Sequence, residues 1–125
     1  MTPPKVFVLD PEPRERGWIA TVLGPAAASV AFLDGPDELL HQPPAAGLSC
    51  VIAFADQDAA AAVELVRTLR GAGCAMPAII LGPHSAFRSA IDIARLDATD
   101  FLERPVTGRQ LRAAVDRACR DPGAA

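Results

Sequence analysis

Lysine is almost missing from this 125-residue chain. Of its 12 basic residues only Lys5 is a lysine, and the rest are arginines. Against 15 acidic residues this leaves a formal net charge of −3. That balance argues against a nucleic-acid or polybasic membrane surface. Cysteine is scarce as well. Cys50, Cys74 and Cys119 are odd in number and show no Cys-x-x-Cys spacing. A disulfide scaffold is therefore not expected, and reduced thiols in a cytoplasmic setting are. Long apolar runs are lacking too. None approaches the ~18 residues a membrane helix needs. The stretch ending at Leu9 is too short for a signal-peptide core. What remains suits one domain, residues 1–120, with 121–125 a frayed tail or the start of a linker. Half the residues are hydrophobic, and a chain of this length buries roughly two thirds of its unfolded surface.

Lys5 to Leu9 (KVFVL) is a short β-rich run that stops at Asp10 and reads as a buried strand. Pro11 and Pro13 open a helical stretch with Trp18, Ile19, Val22 and Leu23 on one side, closed by Gly24-Pro25. Ser29 to Leu33 reads as a second strand. Asp34 is placed to cap a short helix through Leu40, which Pro43-Pro44 closes. Cys50 to Phe54 (CVIAF) is a third strand. Ala59 to Arg70 is a helix with Val63, Val66 and Leu69 on one stripe, ended by Gly71 and Gly73. Pro77 to Leu81 and Ala98 to Leu102 are the last two strands. Helices over Ser85 to Leu96 and Val106 to Arg120 follow them.

Five short apolar strands alternating with five helices predict an α/β fold. The expected form is a single doubly wound (βα)5 three-layer sandwich, with a five-stranded parallel sheet covered on both faces. Ligands in such sheets sit at the carboxyl ends of the strands. Candidate residues therefore cluster at Asp10 to Glu12, Phe54 to Asp58, Gly82 to His84 and Glu103 to Pro105. Other signals carry little. His41 and His84 lack ligand spacing. Gly71-Ala-Gly73 follows a helix and reads as a cap, not a dinucleotide loop. Trp18 reads as core or a groove filler.

The same four positions carry a family resemblance over essentially the whole chain. VFVLDPEPR, SCVIAF, PAIILG and ATDFLERPV resemble the strand ends of response-regulator receiver domains, of CheY-like fold and FixJ-type flavour. The last is the most specific: an aromatic, two residues and then a basic residue with proline (Phe101 to Pro105). The resemblance implies a non-enzymatic signalling module with a flavodoxin/CheY-like fold. It also implies a phosphotransfer site of defined chemistry. Two acids after the first strand help hold Mg²⁺. A carboxylate at the end of the third strand takes the phosphoryl group. A hydroxyl after the fourth strand and a lysine before the proline bind its oxygens.

The residues depart from that pattern. Asp10 matches the first acid, but Pro11 stands at the second, followed by Glu12. Ungapped spacing puts Phe54 at the acceptor position, Gly82 at the hydroxyl and Arg104 at the lysine. A phenyl ring accepts no phosphoryl group. No catalytic residue is expected, and the vestigial pocket is Asp10, Pro11, Glu12, Asp56, Gly82 and Arg104. Arg104 either bridges Asp10, Glu12 or Asp56 in place of a metal, or lies solvated beside the proline. Asp56 and Asp58 are favoured as acids capping the Ala59 helix. Phe101 stands at the switch-aromatic position, where it either enters an apolar slot or packs as plain core.

The resulting expectation is a receiver without aspartyl phosphorylation, acting in signal transduction through protein partners and needing no cofactor. The alternative is a phosphorylatable receiver using Asp56, with Mg²⁺ at Asp10, Glu12 and Asp56. A third reading is a small-molecule-binding domain sharing only the fold. The 84–120 face carries mixed charges, including Asp100, Arg112 and Asp116, and is expected to serve a homodimer.

Overall fold

The computed structural model describes residues 5–9, 12–24, 29–41, 49–56, 59–74, 76–83 and 99–120. The five strands are β1 (Lys5–Leu9), β2 (Ser29–Leu33), β3 (Ser49–Phe54), β4 (Ala78–Gly82) and β5 (Thr99–Glu103). The described helices are α1 (Pro13–Leu23), α2 (Pro36–Leu40), α3 (Ala59–Gly71) and α4 (Gly108–Arg120). The helix expected over Ser85–Leu96 lies outside the described residues, as do Asp10, Pro11, Asp58 and His84. All strand pairs are parallel, in the order β2-β1-β3-β4-β5.

Successive side chains alternate between the two faces of the sheet, and β1, β3 and β4 are buried on both. Phe7, Leu9, Val51, Ala53, Ala78 and Ile80 pack toward Leu39 of α2 and Val66 and Leu69 of α3. Val6, Val8, Cys50, Ile52, Ile79 and Leu81 pack toward Ile19 and Leu23 of α1 and Leu111 and Val115 of α4. The result is the three-layer sandwich that the strand and helix pattern predicts. Trp18 is half-buried against the α1/α4 layer, as a core contributor should be.

Several boundaries differ from the expected ones for local reasons. Gly35, not Asp34, caps α2, and no side chain bonds there. Pro36 disfavours the helical region for the residue before it, and Gly35 is fully extended at φ −177° and ψ −177°. Glu12 occupies the extended cap position of α1, again without a side-chain bond, and Pro13 follows at the first helical position. β4 begins at Ala78 because Pro77 has no N–H to give the ladder; its carbonyl accepts from Val51 N at 2.9 Å. α4 begins two residues later than expected. There Thr107 Oγ1 accepts from Gln110 N at 3.1 Å and Gln110 Oε1 accepts from Thr107 N at 2.8 Å. That reciprocal pair is a capping box.

α3 ends as its glycines suggest, but through one of them. Gly73 N–H donates to Arg70 O at 3.1 Å and Cys74 N–H to Leu69 O at 2.9 Å. This is the Schellman arrangement, which needs a left-handed residue. Gly73 supplies it at φ +86°.

Candidate functional site

The order of the sheet reverses between β1 and β3, and such a switch point leaves a crevice at the strand ends. An open cleft of about 470 Å³ lies there. Its lining is apolar at Leu9, Ala62 and Leu65, and acidic at Glu12, Glu15 and Asp56. Phe54 and Arg104 complete it.

Sheet register decides which residue stands at the end of β3. Phe54 pairs with Leu81, Leu81 with Leu102, and Gly82 with Glu103. Phe54 is thus the last rung of β3, where the family's acceptor would sit. Its ring is half-buried and packs against the α1/α4 layer. Asp56 lies two residues beyond, in a bend.

Arg104 follows β5 and reaches across the crevice. Its Nε donates to Asp56 Oδ1 at 2.6 Å and its Nη2 to Asp56 Oδ2 at 2.9 Å. Nη2 also donates to Glu15 Oε1. The guanidinium carbon lies 6.0 Å from the Phe54 ring centroid, at the outer edge of useful cation–π distance. Hydrogen bonding to Asp56 raises the Arg104 pKa above its ordinary value against the opposing pull of burial, and the charges of Glu15 and Asp56 add to the rise. The planar fork explains the geometry: two parallel N–H groups match one carboxylate, which a lysine ammonium cannot do. The Arg104 and Asp56 side chains are 30% and 34% exposed and Glu15 is 18% exposed. Solvent therefore screens the pairing only in part.

Of the two readings of Arg104, the bridging one holds. The partner set is corrected: Asp56 as expected, with Glu15 rather than Glu12 among the described residues. Both oxygens of Asp56 accept from Arg104, and Asp58, the other expected capping acid, lies outside the described residues. Glu15 was the acid that sequence reasoning missed. The signal available was its place in the first turn of α1, one helical turn beyond Glu12.

Gly82 is occupied from outside. A Cβ built there would lie 3.0 Å from Ala55 Cβ and 3.4 Å from the Phe101 ring. Phe101 packs against the α2/α3 layer, with its ring in van der Waals reach of that position. Ala55 N–H donates to Leu81 O at 2.7 Å and Arg104 N–H to Gly82 O at 2.9 Å. These bonds fix the three strand ends relative to one another. The Arg104–Pro105 peptide is cis. On the expected homodimer face, Arg117 Nη2 donates to Asp100 Oδ2 at 2.9 Å within the chain.

No family model matches the sequence. The transcriptional regulatory protein FixJ of Bradyrhizobium diazoefficiens is 24% identical over 115 residues, which are 92% of this chain and 56% of that protein. The chain is thus similar in sequence to FixJ over most of its length and has the fold of response-regulator receiver domains. It spans a little over half the length of that curated relative. Solved structures agree on the receiver fold. Full-length FixJ from B. japonicum superposes with a TM-score of 0.80 at 23% identity, covering 99% of this chain and 61% of that one. The separate FixJ-N structure gives 0.77 at 22% identity, covering 100% and 99%. A receiver protein from Pseudoalteromonas atlantica gives 0.78 at 21% identity, covering 94% and 98%. Among the described residues no helix is long and apolar enough to cross a membrane. Nor do any three or more His, Cys, Asp or Glu among them form a group that holds a metal.

Proposed function

We propose that this receiver signals through protein contacts without an aspartyl phosphate. The observation that carries the proposal is the Arg104 guanidinium bridging Asp56 and Glu15 beside Phe54. An acceptor carboxylate needs a free oxygen facing the donor, and a divalent cation needs uncompensated oxygens. Phe54 has no oxygen. Both oxygens of Asp56 already accept from Arg104. The cation that would neutralise a phosphoryl group is turned onto carboxylates instead. Residues Glu12 and Asp56 therefore do not fit Mg²⁺ with Arg104 in place. The alternative, phosphorylation at Asp56, requires that fork to be broken first.

On this reading Arg104 is a permanent internal counter-ion that holds one arrangement of the strand ends. Phe101 beside Gly82 supports the same view, since a glycine offers no hydroxyl to recruit the aromatic on demand. The module then acts as a non-enzymatic binding element in the cytoplasm. Its partners are proteins of a signalling pathway, with the 84–120 face available for a second copy. The relative's name, a transcriptional regulatory protein, suggests that such contacts govern transcription.

A magnesium titration followed by calorimetry and by backbone amide shifts tests the proposal. No saturable binding is expected at millimolar concentrations. Saturable binding that Asp56→Asn removes would overturn it.

A further inference from the structure

The crevice at the strand ends has two unlike walls. From one face of the sheet, α1 supplies Glu12 at its cap and Glu15 in its first turn. These acids are three residues apart and so are neighbours on the helix surface. From the other face, α3 supplies Ala61, Ala62 and Leu65. Asp56, Phe54 and Arg104 lie between the walls. Three carboxylates against one guanidinium leave the described lining with an excess of negative charge. The cleft of about 470 Å³ is within the roughly 300–1,000 Å³ range of ligand-binding clefts.

Arg104 does not use up these acids. Its fork takes both oxygens of Asp56, and one nitrogen reaches a single oxygen of Glu15. Glu12 is exposed, and its carboxylate pairs with no cation among the described residues. The crevice therefore already holds one guanidinium, on carboxylates and with its carbon 6.0 Å from the Phe54 ring centroid, and keeps acid to spare beside it.

The geometry points to this crevice as the docking site for an arginine-bearing segment of a partner protein, with an aliphatic side chain two residues from that arginine. The inference rests on the reading that signalling here is phosphate-free, and it names the chemistry of the partner. Charge complementarity selects the cation. Arginine suits it better than lysine, because a planar fork of five donors spans two neighbouring carboxylates where an ammonium is a point charge. The arginine takes Glu12 and Glu15 on the α1 wall, while the aliphatic group covers Ala61 and Leu65 on the α3 wall. In an extended segment, residues two apart project to the same side, so one short stretch serves both walls. An acidic segment is repelled by the surplus carboxylates, and a wholly apolar one strips them of water without replacing it.

The test is a titration of the folded, isotope-labelled chain with the capped peptide acetyl-Leu-Ser-Arg-Ser-amide, followed by backbone amide shifts at low salt. Saturable shifts are expected at Glu12, Glu15, Ala61 and Leu65 at millimolar peptide. Glu12→Gln should weaken binding about two- to fivefold. Ala61→Arg puts a cation on the exposed part of the opposite wall and should abolish binding while the chain stays folded. Raising the salt should weaken binding as well. Absence of saturable shifts, shifts confined to another face, or equal binding of the matching glutamine peptide would overturn the inference. Butylguanidinium binding as tightly as the peptide would also overturn it, in favour of a free organic cation. These titrations contain neither Mg²⁺ nor a phosphodonor, so their failure leaves the phosphate-free reading standing. Gain of a phosphoryl group in a separate incubation would remove that reading, and this inference with it.

Discussion

Arg104 does at one position what an ammonium and a metal ion do separately in a phosphotransfer site: it supplies positive charge and gathers carboxylates. Its two nitrogens on Asp56 and the further contact to Glu15 make it a geometric clamp as well as a charge. Arg104→Ala leaves Asp56 and Glu15 facing each other without a cation, and should cost about 1–2 kcal/mol in urea denaturation. Arg104→Lys keeps the charge but not the fork, so it should recover less than half of that loss. Equal stability of wild type and Arg104→Ala would remove the clamp. Gly82 is the complementary residue. A Cβ there would lie 3.0 Å from Ala55 Cβ, so Gly82→Ala overpacks the strand ends and should cost about 1–3 kcal/mol. Adding Ala55→Gly should relieve much of that cost, because the closest approach is to the Ala55 methyl.

At the scale of elements, the apolar runs were legible and the junctions were not. KVFVL and CVIAF read as buried strands because a parallel sheet covered on both faces needs apolar residues on both. The phenylalanine at the end of β3 was legible from ungapped spacing to Pro105. Glu15 was not, because its meeting with Arg104 spans 89 residues and depends on where Pro13 starts α1. Nor was the filling of Gly82, which requires the register of three adjacent strands. The capping box of α4 was present in the sequence as Thr107 and Gln110. Reading the helix from Val106 obscured it. Thr107→Ala should cost about 1 kcal/mol, measured as a fall in denaturation midpoint. Gly73→Ala at the end of α3 forces a methyl into left-handed backbone and should cost about 1 kcal/mol. An unchanged midpoint in either variant would contradict the assigned cap.

At the scale of the whole molecule, two apolar layers hold the sheet while its carboxyl edge is free to lose its chemistry. None of the residues at Phe54, Gly82 and Arg104 weakens either layer. Phe54 and Phe101 add to them. On the proposed reading a receiver fold survives the loss of its phosphotransfer groups, since packing and reaction rest on different residues. The near absence of lysine fits this picture without explaining it. Composition alone accounts for one arginine before Pro105, but not for the phenylalanine and glycine that stand with it. The most direct test of phosphate-independent signalling is the intact mass of the folded chain after incubation with Mg²⁺ and a small phosphodonor. An unchanged mass is predicted. The gain of one phosphoryl group would contradict the account.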